Sequence, residues 1–506
     1  MANTNRKKVV LVILDGWGIG PHDSSNPIYT AELPNIAYIK KNFPTTSLQA
    51  SGIAVGLPWA EEGNSEIGHL TIGAGRTVYQ SAARISLAIE DGSFFKNPVL
   101  VWAIDEAKKA GKAVNIAGLL GTGITHSSFK HLIALTKMVG EAGIPYKLHL
   151  FTDGRDSSVK ACLDLVRKLP ENRIGSIGGR FSGMDRDGHI DRTERAFNCM
   201  TGRSRSESVS PSEYISSSYA SGVTDEFIRP AAFGDGSLAV SPGDSLIFFN
   251  FRGDRVRQIS RMFSERMPDV RTVGFTRYDE RSDLPYAFSF EEIKKPLPAV
   301  IADAGLSQLH IAESEKQAHV TYFFNAESEE TFPREFRVII PSRNTASHDK
   351  FPEMMAPEIT TRIVTAVEEG LYDFIIANYA NADIVAHTGN FDATIEAVRC
   401  LDTQIGMIAE ATVRTGAALI ITADHGNAEK LIDTRTGEKD TRHNPNPVPF
   451  FLIDRDMQRL RTDAEIAESE VLNSGTLCDI APTVLELMGI EKPVEMTGQS
   501  LIPFLK

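Results

Sequence analysis

One serine and a set of acidic and imidazole side chains carry the chemistry that this sequence predicts. Ser65 lies in the segment GNSEIGH. A serine hydroxyl is a poor nucleophile at neutral pH, but a divalent cation bound to its oxygen stabilises the alkoxide, and a pair of cations can also hold a transferring phosphoryl group. Six further residues are candidate ligands for two such cations: Asp15, Asp383, His387, Asp424, His425 and His443. The combination predicts phosphoryl transfer at a serine assisted by two metal ions.

Most candidate ligands follow short apolar runs that are typical of buried parallel strands. The runs are VVLVIL, FIIANY and ALIIT, and their β-branched composition favours strands covered on both faces. Asp15 follows the first run. Asp383 and His387 are predicted to project from a loop after the second, and Asp424 and His425 come soon after the third. In open α/β sheets the functional crevice lies at the carboxyl ends of such strands, so we expect these side chains to meet there.

The types of ligand restrict the metal. Mixed carboxylate and imidazole ligands suit Mn, Co, Fe or Zn better than Ca, which prefers oxygen ligands throughout. A single Asp or His at a strand end is more often a cap or a satisfied polar group, and the tetrapeptide from Asp424 to Asn427 could be an ordinary turn. Ligand-type residues after three separate strands, with His443 on a nearby Pro-rich loop, are hard to explain by turns alone. We therefore favour the metal interpretation.

Longer motifs extend over nearly the whole chain. They are LDGWG, GNSEIGH with IGAGR, FTDGRD, GGRFSGMDRD, FNFRGDR, ESEKQAHVTYFF, NADIVAHTG, TADHGNAE and HNPNPVPF. In these motifs the chain resembles the cofactor-independent phosphoglycerate mutases, members of the alkaline phosphatase superfamily. The resemblance implies an α/β protein with an alkaline-phosphatase-like metal domain and an inserted second α/β domain. It also implies interconversion of 3-phosphoglycerate and 2-phosphoglycerate through a phosphoserine, without bisphosphoglycerate as a cofactor.

The resemblance implies a role for each motif residue. Two divalent ions would be bound, with Mn²⁺ favoured and Co²⁺, Mg²⁺ or Zn²⁺ as alternatives. The ligand sets are Asp383, His387 and His443 for one ion, and Asp15, Ser65, Asp424 and His425 for the other. Ser65 would be the phosphorylated nucleophile and Asp156 the acid/base, with Lys316 as a further catalytic group. The substrate would be surrounded by His126, Arg155, Asp156, Arg180, Arg186, Arg252, Arg255 and Lys316.

The arginines also have a chemical reason to be there. A phosphoglycerate carries a carboxylate and a phosphate, and arginine binds both with a planar pair of donors. Arg155, Arg180 and Arg252 follow strand-like runs beside glycines, so they are predicted to face a crevice. Arg192 and Arg195 lie on a predicted helix and are interpreted as solvated surface residues. Lys316, in the ordinary pattern ESEK, is assigned a role by the resemblance alone.

The chain departs from the usual family pattern at two positions. Ser128 stands where a second histidine is common, which puts any accessory contact from that loop in doubt. Gly253 replaces a proline between two arginines, so the turn is predicted to be looser while both arginines are kept.

Composition narrows the function classes. A chain of 506 residues with 42% hydrophobic content is long enough for more than one domain. A net charge of −13 argues against a nucleic-acid binder or a basic membrane-surface protein. The four cysteines show no metal or redox spacing. The start MANTNRKK leads into a strand too short for a secretory or membrane segment, so we expect a cytoplasmic protein, and the family resemblance favours a monomer.

The order of the motifs predicts the domains. Ligand motifs fall near the two ends of the chain and arginine motifs fall between them. We expect a discontinuous metal-binding domain from residues 1–77 and 311–506, and an inserted substrate domain from residues 78–310. Strand-like runs at 113–120, 146–151, 174–179 and 244–251 predict a second parallel-rich sheet in the insert. Helices are predicted at 359–370 and 392–416.

Other functions fit less well. A metal-dependent phosphohydrolase would share Ser65 and the ligands, but would not need a large arginine-bearing insert to retain an alcohol. A sulfatase would need a modified Cys or Ser in a Pro- and Arg-containing motif, and a phosphopentomutase would be expected to use Thr. A regulatory protein that had lost catalysis would be expected to lack Ser65 or the arginines.

Overall fold

A computed structural model describes residues 6–59, 61–289, 292–433 and 435–505. The first five residues of the N-terminal segment MANTNRKK therefore lie outside the described part of the chain. The chain divides into two compact units. The first unit comprises Met1–Gln80 and Glu292–Lys506, and the second unit comprises Ser81–Glu291.

The strands are numbered in chain order. They are β1 (Val9–Leu14), β2 (Thr45–Gln49), β3 (Val114–Leu120), β4 (Tyr146–Thr152), β5 (Ile174–Gly179), β6 (Ser206–Glu207), β7 (Ala231–Phe233), β8 (Ser245–Phe248), β9 (Arg271–Gly274), β10 (Gln308–Glu313), β11 (Glu335–Ile340), β12 (Phe374–Tyr379), β13 (Ala418–Thr422), β14 (Val448–Ile453) and β15 (Asn473–Thr476).

The α-helices are numbered in the same way. They are α1 (Pro27–Thr30), α2 (Pro34–Asn42), α3 (Ser65–Ala74), α4 (Ser81–Glu90), α5 (Pro98–Lys109), α6 (Phe129–Glu141), α7 (Cys162–Val166), α8 (Arg180–Gly183), α9 (Ile190–Met200), α10 (Pro211–Ala220), α11 (Arg257–Arg266), α12 (Leu297–Asp303), α13 (Ala356–Glu369), α14 (Asn381–Ala386), α15 (Phe391–Thr415), α16 (Asp463–Val471) and α17 (Ile480–Leu487).

The first unit is built on an eight-stranded mixed sheet in the order β11-β10-β12-β1-β13-β14-β2-β15. Strands β11 to β13 run parallel along this order, β14 is antiparallel to both of its neighbours, and β15 is parallel to β2. Strand β1 lies between β12 and β13 and is buried at every residue. Because these three central strands are parallel, their carboxyl ends share one edge of the sheet.

Two helices predicted from sequence cover this sheet. Helix α13 ends at Gly370, whose φ of 62° places it in the left-handed conformation that stops many helices. Helix α15 buries Leu401, Ile405 and Ile408, which lie on one face at helical spacing. Burial of each such side chain contributes on the order of 1.5–3 kcal/mol. These helices serve as scaffold.

The second unit has its own seven-stranded sheet in the order β6-β7-β5-β4-β3-β8-β9. Strands β5, β4, β3, β8 and β9 run parallel, whereas β7 is antiparallel to β5. Two mixed sheets with intervening helices confirm the predicted α/β class.

Several local expectations need correction. Asp383 and His387 were expected on a loop, but Asp383 lies in α14 and His387 is its C-cap residue. Arg192 was interpreted as a solvated surface residue, yet its guanidinium lies 4.1 Å from the Phe181 ring and donates to Asp185 at 3.2 Å. The second boundary of the insert falls at residue 291 rather than 310, because β10 pairs with β11 and β12 of the first unit.

No helix among the described residues is long and apolar enough to cross a membrane.

Candidate active site

Ser65 is the first residue of helix α3 in the first unit. The side chain of the N-cap residue Asn64 accepts a hydrogen bond from the Ile67 backbone N–H at 3.0 Å, which fixes the start of the helix. The helix is ten residues long, and the free N–H groups and macrodipole at its N-terminus favour a negative charge there. The position of Ser65 therefore suits a group that receives a phosphoryl dianion.

Three polar side chains surround the buried Ser65 hydroxyl. Its Oγ lies 3.0 Å from Asp15 Oδ1 and 3.0 Å from His425 Nε2. Lys316 Nζ donates to the same oxygen at 2.8 Å. Asp15 is the residue directly after β1, and His425 follows β13, so two neighbouring parallel strands bring these partners together. The hydroxyl thus contacts a carboxylate, Asp15, that can accept its proton and an ammonium, Lys316, that can stabilise its oxygen.

One ligand group lies directly beside Ser65. We call it the Asp424 group, and it consists of Asp15, Asp424 and His425, whose ligand atoms lie within 4.8 Å of one another. Asp424 Oδ1 accepts the backbone N–H groups of Gly16 and His425, both at 3.1 Å. Its other oxygen, Oδ2, is buried without a hydrogen-bond partner among the described residues. His69 Nδ1 is 3.2 Å from that oxygen, but bonds to the Ser65 carbonyl at 2.8 Å. A buried carboxylate oxygen left open in this way is what a metal ligand requires.

The second ligand group, the Asp383 group, consists of Asp383, His387 and His443. Each imidazole Nδ1 bonds to a backbone carbonyl. His387 Nδ1 lies 2.8 Å from the Thr441 carbonyl, and His443 Nδ1 lies 2.9 Å from the Gly63 carbonyl. Carbonyl oxygens only accept, so each Nδ1 carries its proton. The two Nε2 atoms then face each other at 3.1 Å and approach Asp383 Oδ1 at 3.2 and 3.3 Å. Two lone pairs and a carboxylate that converge like this fit a shared cation, and the carbonyl partners fix the ring orientation.

Lys316 connects the two ligand groups. Its Nζ lies 2.6 Å from Asp15 Oδ1 and 2.8 Å from Asp383 Oδ2. Burial opposes the charged ammonium, but the Asp15 and Asp383 carboxylates raise the pKa of Lys316 above its ordinary value. In the metal-free molecule Lys316 is therefore held in its charged form beside the Ser65 hydroxyl.

The buried histidine beside Ser65 also responds to the local negative charge. Burial works against a charged imidazole, but the Asp424 carboxylate and a hydrogen bond to Asp15 raise the pKa of His425 to about 9. Burial likewise works against ionisation of Asp15, but Lys316 and then His425 hold its pKa well below the usual range. The carboxylates beside Ser65 thus favour a bound cation. The mixture of Asp and His side chains fits the divalent transition metals expected from the sequence.

The other predicted residues lie in the second unit. They are positioned at the carboxyl ends of β3, β4, β5 and β8 or on α8 and the loop after it: His126, Arg155, Asp156, Arg180, Arg186, Arg252 and Arg255. Because β3, β4, β5 and β8 are parallel neighbours, these ends share one edge of the second sheet. Lys316, which was expected near the substrate as well, belongs to the first unit.

Arg180 forms the centre of this edge. Its buried guanidinium donates from Nη1 to Asp153 at 2.5 Å and to Asp156 at 2.6 Å, and from Nη2 to His126 Nε2 at 3.1 Å. His126 Nε2 therefore accepts, which leaves the proton on Nδ1. Burial and then the Arg180 charge lower the pKa of His126 to about 4. His126 is a neutral donor at physiological pH.

Further guanidinium groups lie close to this centre. Arg186 donates to Asp254 at 3.1 Å, and Arg252 Nε lies 3.4 Å from the same carboxylate. Burial, followed by repulsion from other arginines, lowers the pKa of Arg255 from its ordinary value; Arg180, Arg186 and Arg155 are the sources. Clustered guanidinium groups that repel one another form a strong site for a polyanion.

Sequence reasoning missed several residues that hold the predicted ones in place. Asp254 lies between Arg252 and Arg255 in one quoted motif, and Asp153 lies two residues before Arg155 in another, so a carboxylate close to arginine in the motif is a signal that could have identified both. Asn378, inside the apolar strand β12, donates to Asp15 at 2.8 Å and lies 3.0 Å from His69 Nε2. A polar residue within a buried strand is again a usable signal.

The two departures from the family pattern have different structural settings. Ser128 is the buried N-cap residue of α6 and makes no side-chain cap hydrogen bond. At Gly253 a Cβ atom would lie 2.7 Å from the Tyr278 Cα. Glycine is therefore required by close packing against Tyr278, which is a stronger reason than the looser turn expected from sequence.

Comparisons with known proteins identify the family to which the chain belongs. Residues 7–492 match the metalloenzyme superfamily, so the chain is a member of that class. The chain is 42% identical over 517 residues to the 2,3-bisphosphoglycerate-independent phosphoglycerate mutase of Pseudomonas fluorescens strain Pf0-1, with 99% of each chain covered. It is 43% identical over 519 residues to 2,3-bisphosphoglycerate-independent phosphoglycerate mutase 1 of Methanosarcina acetivorans, with 98% of this chain and 99% of the relative covered.

A solved structure extends the comparison to the fold. A crystal structure of Leishmania mexicana phosphoglycerate mutase at low cobalt concentration is 27% identical, covers 99% of this chain and 98% of its own, and superimposes with a TM-score of 0.56. From the full-length identity to its relatives, the chain belongs to the family of 2,3-bisphosphoglycerate-independent phosphoglycerate mutases. The family resemblance noted in the sequence is confirmed.

Proposed function

We propose that the chain interconverts 3-phosphoglycerate and 2-phosphoglycerate through a phosphoserine on Ser65, with two divalent metal ions and without bisphosphoglycerate as a cofactor. The observation that carries the proposal is the Ser65 hydroxyl at the start of α3, within 3.0 Å of Asp15 and His425 and 2.8 Å from Lys316. Its full-length relatives are mutases by name, and this geometry supplies the nucleophile that such a reaction needs.

Each ligand group would hold one metal ion, and Ser65 would join the Asp424 group as a further ligand. Bound there, the ions would neutralise charge on the phosphoryl oxygens and lower the cost of the Ser65 alkoxide. Mn²⁺ is our first choice because mixed Asp and His ligands suit it, with Co²⁺, Mg²⁺ and Zn²⁺ as alternatives.

The residues of the chain then divide the transfer between them. Ser65 Oγ forms the new bond to phosphorus as the glycerate oxygen leaves, and its own proton passes to Asp15, whose Oδ1 accepts from the hydroxyl at 3.0 Å. Lys316 Nζ remains close enough to stabilise negative charge on an oxygen bonded to phosphorus. In the reverse step the second glycerate oxygen attacks the phosphoserine and Ser65 leaves.

The second unit supplies the residues that would retain glycerate. Arg155, Arg186 and Arg252 would bind its carboxylate and phosphate groups. Asp156, held by Arg180 at 2.6 Å, would move a proton between the two glycerate hydroxyls so that either can accept the phosphoryl group. Retention and exclusion of water separate this reaction from hydrolysis. A metal-dependent phosphohydrolase remains the second candidate, since it would use the same Ser65 and ligand groups, but the arginine cluster favours the mutase.

Two further expectations follow from the proposed reaction. The substrates belong to glycolysis and gluconeogenesis, so we expect the enzyme to act in the cytoplasm. We also expect a monomer, which light scattering of the purified chain would test.

The decisive experiment is to incubate the purified chain with Mn²⁺ and 3-phosphoglycerate, with no added bisphosphoglycerate. We expect 2-phosphoglycerate to accumulate until equilibrium with little free phosphate. Release of inorganic phosphate without 2-phosphoglycerate would indicate the phosphohydrolase. Turnover that begins only when bisphosphoglycerate is added would rule out the proposed route.

A further inference from the structure

Glu429 is a completely buried carboxylate close to both ligand groups but outside each of them. It follows Asp424 and His425 on the connection after β13, and its side chain is fully inaccessible to solvent. It forms no ion pair within the described residues. A buried carboxylate without a cation is costly unless N–H donors satisfy it, so its hydrogen bonds need an explanation.

Three donors satisfy Glu429, and they connect the loop after β1 with two parts of the β13–β14 connection. Oε2 accepts the backbone N–H of Gly18 at 2.9 Å and that of Asn427 at 2.9 Å. Oε1 accepts from Asn446 Nδ2 at 2.9 Å. Gly18 lies three residues after Asp15, and Asn446 lies three residues after His443. The carboxylate therefore joins the loops that carry ligands of both groups.

The surrounding backbone is shaped to this carboxylate. A Cβ atom at Gly18 would lie 2.3 Å from the Glu429 carboxyl carbon, and one at Gly426 would lie 2.5 Å from Oε1. At distances this short a Cβ atom would force the carboxylate to shift, so the backbone at Gly18 and Gly426 approaches Glu429 closely because neither residue has a side chain. Such close enclosure restricts the carboxylate to one position and the loops with it.

Asn427 connects Glu429 to the candidate metal ligand Asp383. Asn427, whose backbone donates to Glu429, uses its side-chain Nδ2 to donate to Asp383 Oδ1 at 2.9 Å. The same Asp383 oxygen faces both imidazoles of its group. Glu429 thereby acts on the Asp383 group through Asn427 and through the His443 loop, and on the Asp424 group through the loop after Asp15.

We propose that Glu429 is a positioning residue that sets the metal affinity of both ligand groups by fixing the loop after β1 and both parts of the β13–β14 connection. The inference rests on the proposed metal binding and adds a determinant that belongs to neither ligand set. Outer partners that orient ligands typically change metal affinity by about 10- to 100-fold when they are removed. Asn446 contributes only the bond toward His443, so its loss should affect the Asp383 group alone.

The test is to titrate the metal-free full-length chain with Co²⁺. Binding is measured by calorimetry and by the visible absorption of the bound ion. We expect Glu429→Ala to weaken both binding steps by about 10- to 100-fold and to alter the absorption spectrum. Glu429→Gln should stay within a few fold of the unchanged chain, because the Asn446 amide can turn over and accept from the new NH₂ group. Asn446→Ala should weaken the Asp383 group only. Glu438→Ala, an exposed residue on the same β13–β14 connection, is the matched control.

The possible results distinguish a role of Glu429 in positioning the metal ligands from a role in folding stability alone. If Glu429→Ala lowers the melting temperature of the metal-free chain but binds Co²⁺ at both groups as tightly as the unchanged chain, the proposal is wrong. If that variant does not fold, Asn446→Ala decides, and equal affinities at the Asp383 group before and after substitution overturn the proposal. If the unchanged chain binds fewer than two ions, the proposed metal chemistry itself fails and this inference falls with it.

Discussion

Ser65 combines a position and a set of contacts that few serines have. It begins a ten-residue helix whose N-terminus favours negative charge, and its hydroxyl touches Asp15, His425 and Lys316. The helix start was not part of the prediction from sequence, which had only the motif. The position adds a physical reason why a phosphate on this particular oxygen would be stabilised.

Substitution of Ser65 by Ala should abolish phosphoryl transfer, because the variant has no oxygen at the point where Asp15, His425 and Lys316 meet. With the unchanged enzyme, isotopic label on the phosphate of 3-phosphoglycerate should appear in 2-phosphoglycerate without dilution by unlabelled free phosphate. Ser24→Ala, at an exposed position, serves as a control with normal turnover. Mutase activity that persisted in the Ser65 variant would eliminate the phosphoserine.

His425 predicts how metal binding depends on pH. Its pKa in the metal-free molecule is raised from 6.5 to about 9, so the proton on its imidazole stabilises the metal-free fold below pH 6.5, and this stabilisation is lost as the pH rises toward 9. A metal ion needs the neutral imidazole and must displace that proton. Mn²⁺ affinity should therefore rise steadily between pH 6.5 and about 9, while the melting temperature of the metal-free chain falls. Calorimetry in two buffers of different ionisation enthalpy would detect the released proton, and an affinity independent of pH over this interval would contradict the assignment.

At the scale of elements, apolar runs proved the most informative signal. Strands β1, β12 and β13 coincide with VVLVIL, FIIANY and ALIIT, because a strand buried on both faces carries mainly apolar side chains and admits a polar one, such as Asn378, only where it is hydrogen-bonded. Helix α14 was missed because only six residues form it, too few for a periodic pattern. The bond from Gly18 to Glu429 spans 411 positions of the chain and that from Asn446 spans 17 within one connection, so no local pattern encodes either contact.

Helix α14 leads to a prediction about metal content. Asp383 and His387 are four residues apart, so the helical turn brings both toward the same point. His387→Ala should remove the ion of the Asp383 group, and Asp424→Ala should remove the ion of the Asp424 group. Activity should fall together with metal content in each variant. Elemental analysis after dialysis measures this, with His348→Ala as a histidine control outside both groups. Two full equivalents of metal in either ligand variant would show that the groups are assigned wrongly.

For the whole molecule, the two units carry different chemistry at the same kind of location. In each, functional side chains collect at the carboxyl ends of parallel strands: carboxylates and imidazoles in the first unit, and chiefly guanidinium groups in the second. The net charge of −13 does not exclude an anionic substrate, because the local potential of the arginine cluster governs capture. The sequence predicted this division from motif order, whereas the boundary near residue 291 depended on pairing of β10 that no motif reports.

The division predicts that the fate of the phosphate can be changed without touching the residues that transfer it. Arg186 belongs to the second unit, and its half-exposed guanidinium donates to Asp254 at 3.1 Å, so a substrate anion can reach it. Arg186→Ala removes a planar donor to a charged group, worth on the order of a few kcal/mol. Isomerisation should fall by roughly a hundredfold or more, since about 1.4 kcal/mol corresponds to a factor of ten.

Ser65 and both ligand groups belong to the first unit and are unchanged in this variant, so it should still bind two metal ions and accept a phosphoryl group. Glycerate held less firmly would escape more often before the second transfer, and water would then attack the phosphoserine. The fraction of turnover that ends as inorganic phosphate should therefore rise. Phosphate release measured beside isomerisation tests this, with Arg195→Ala as the control because Arg195 is exposed and pairs with Asp191 along α9. An Arg186 variant that isomerised at the normal rate without added hydrolysis would show that this arginine does not retain glycerate.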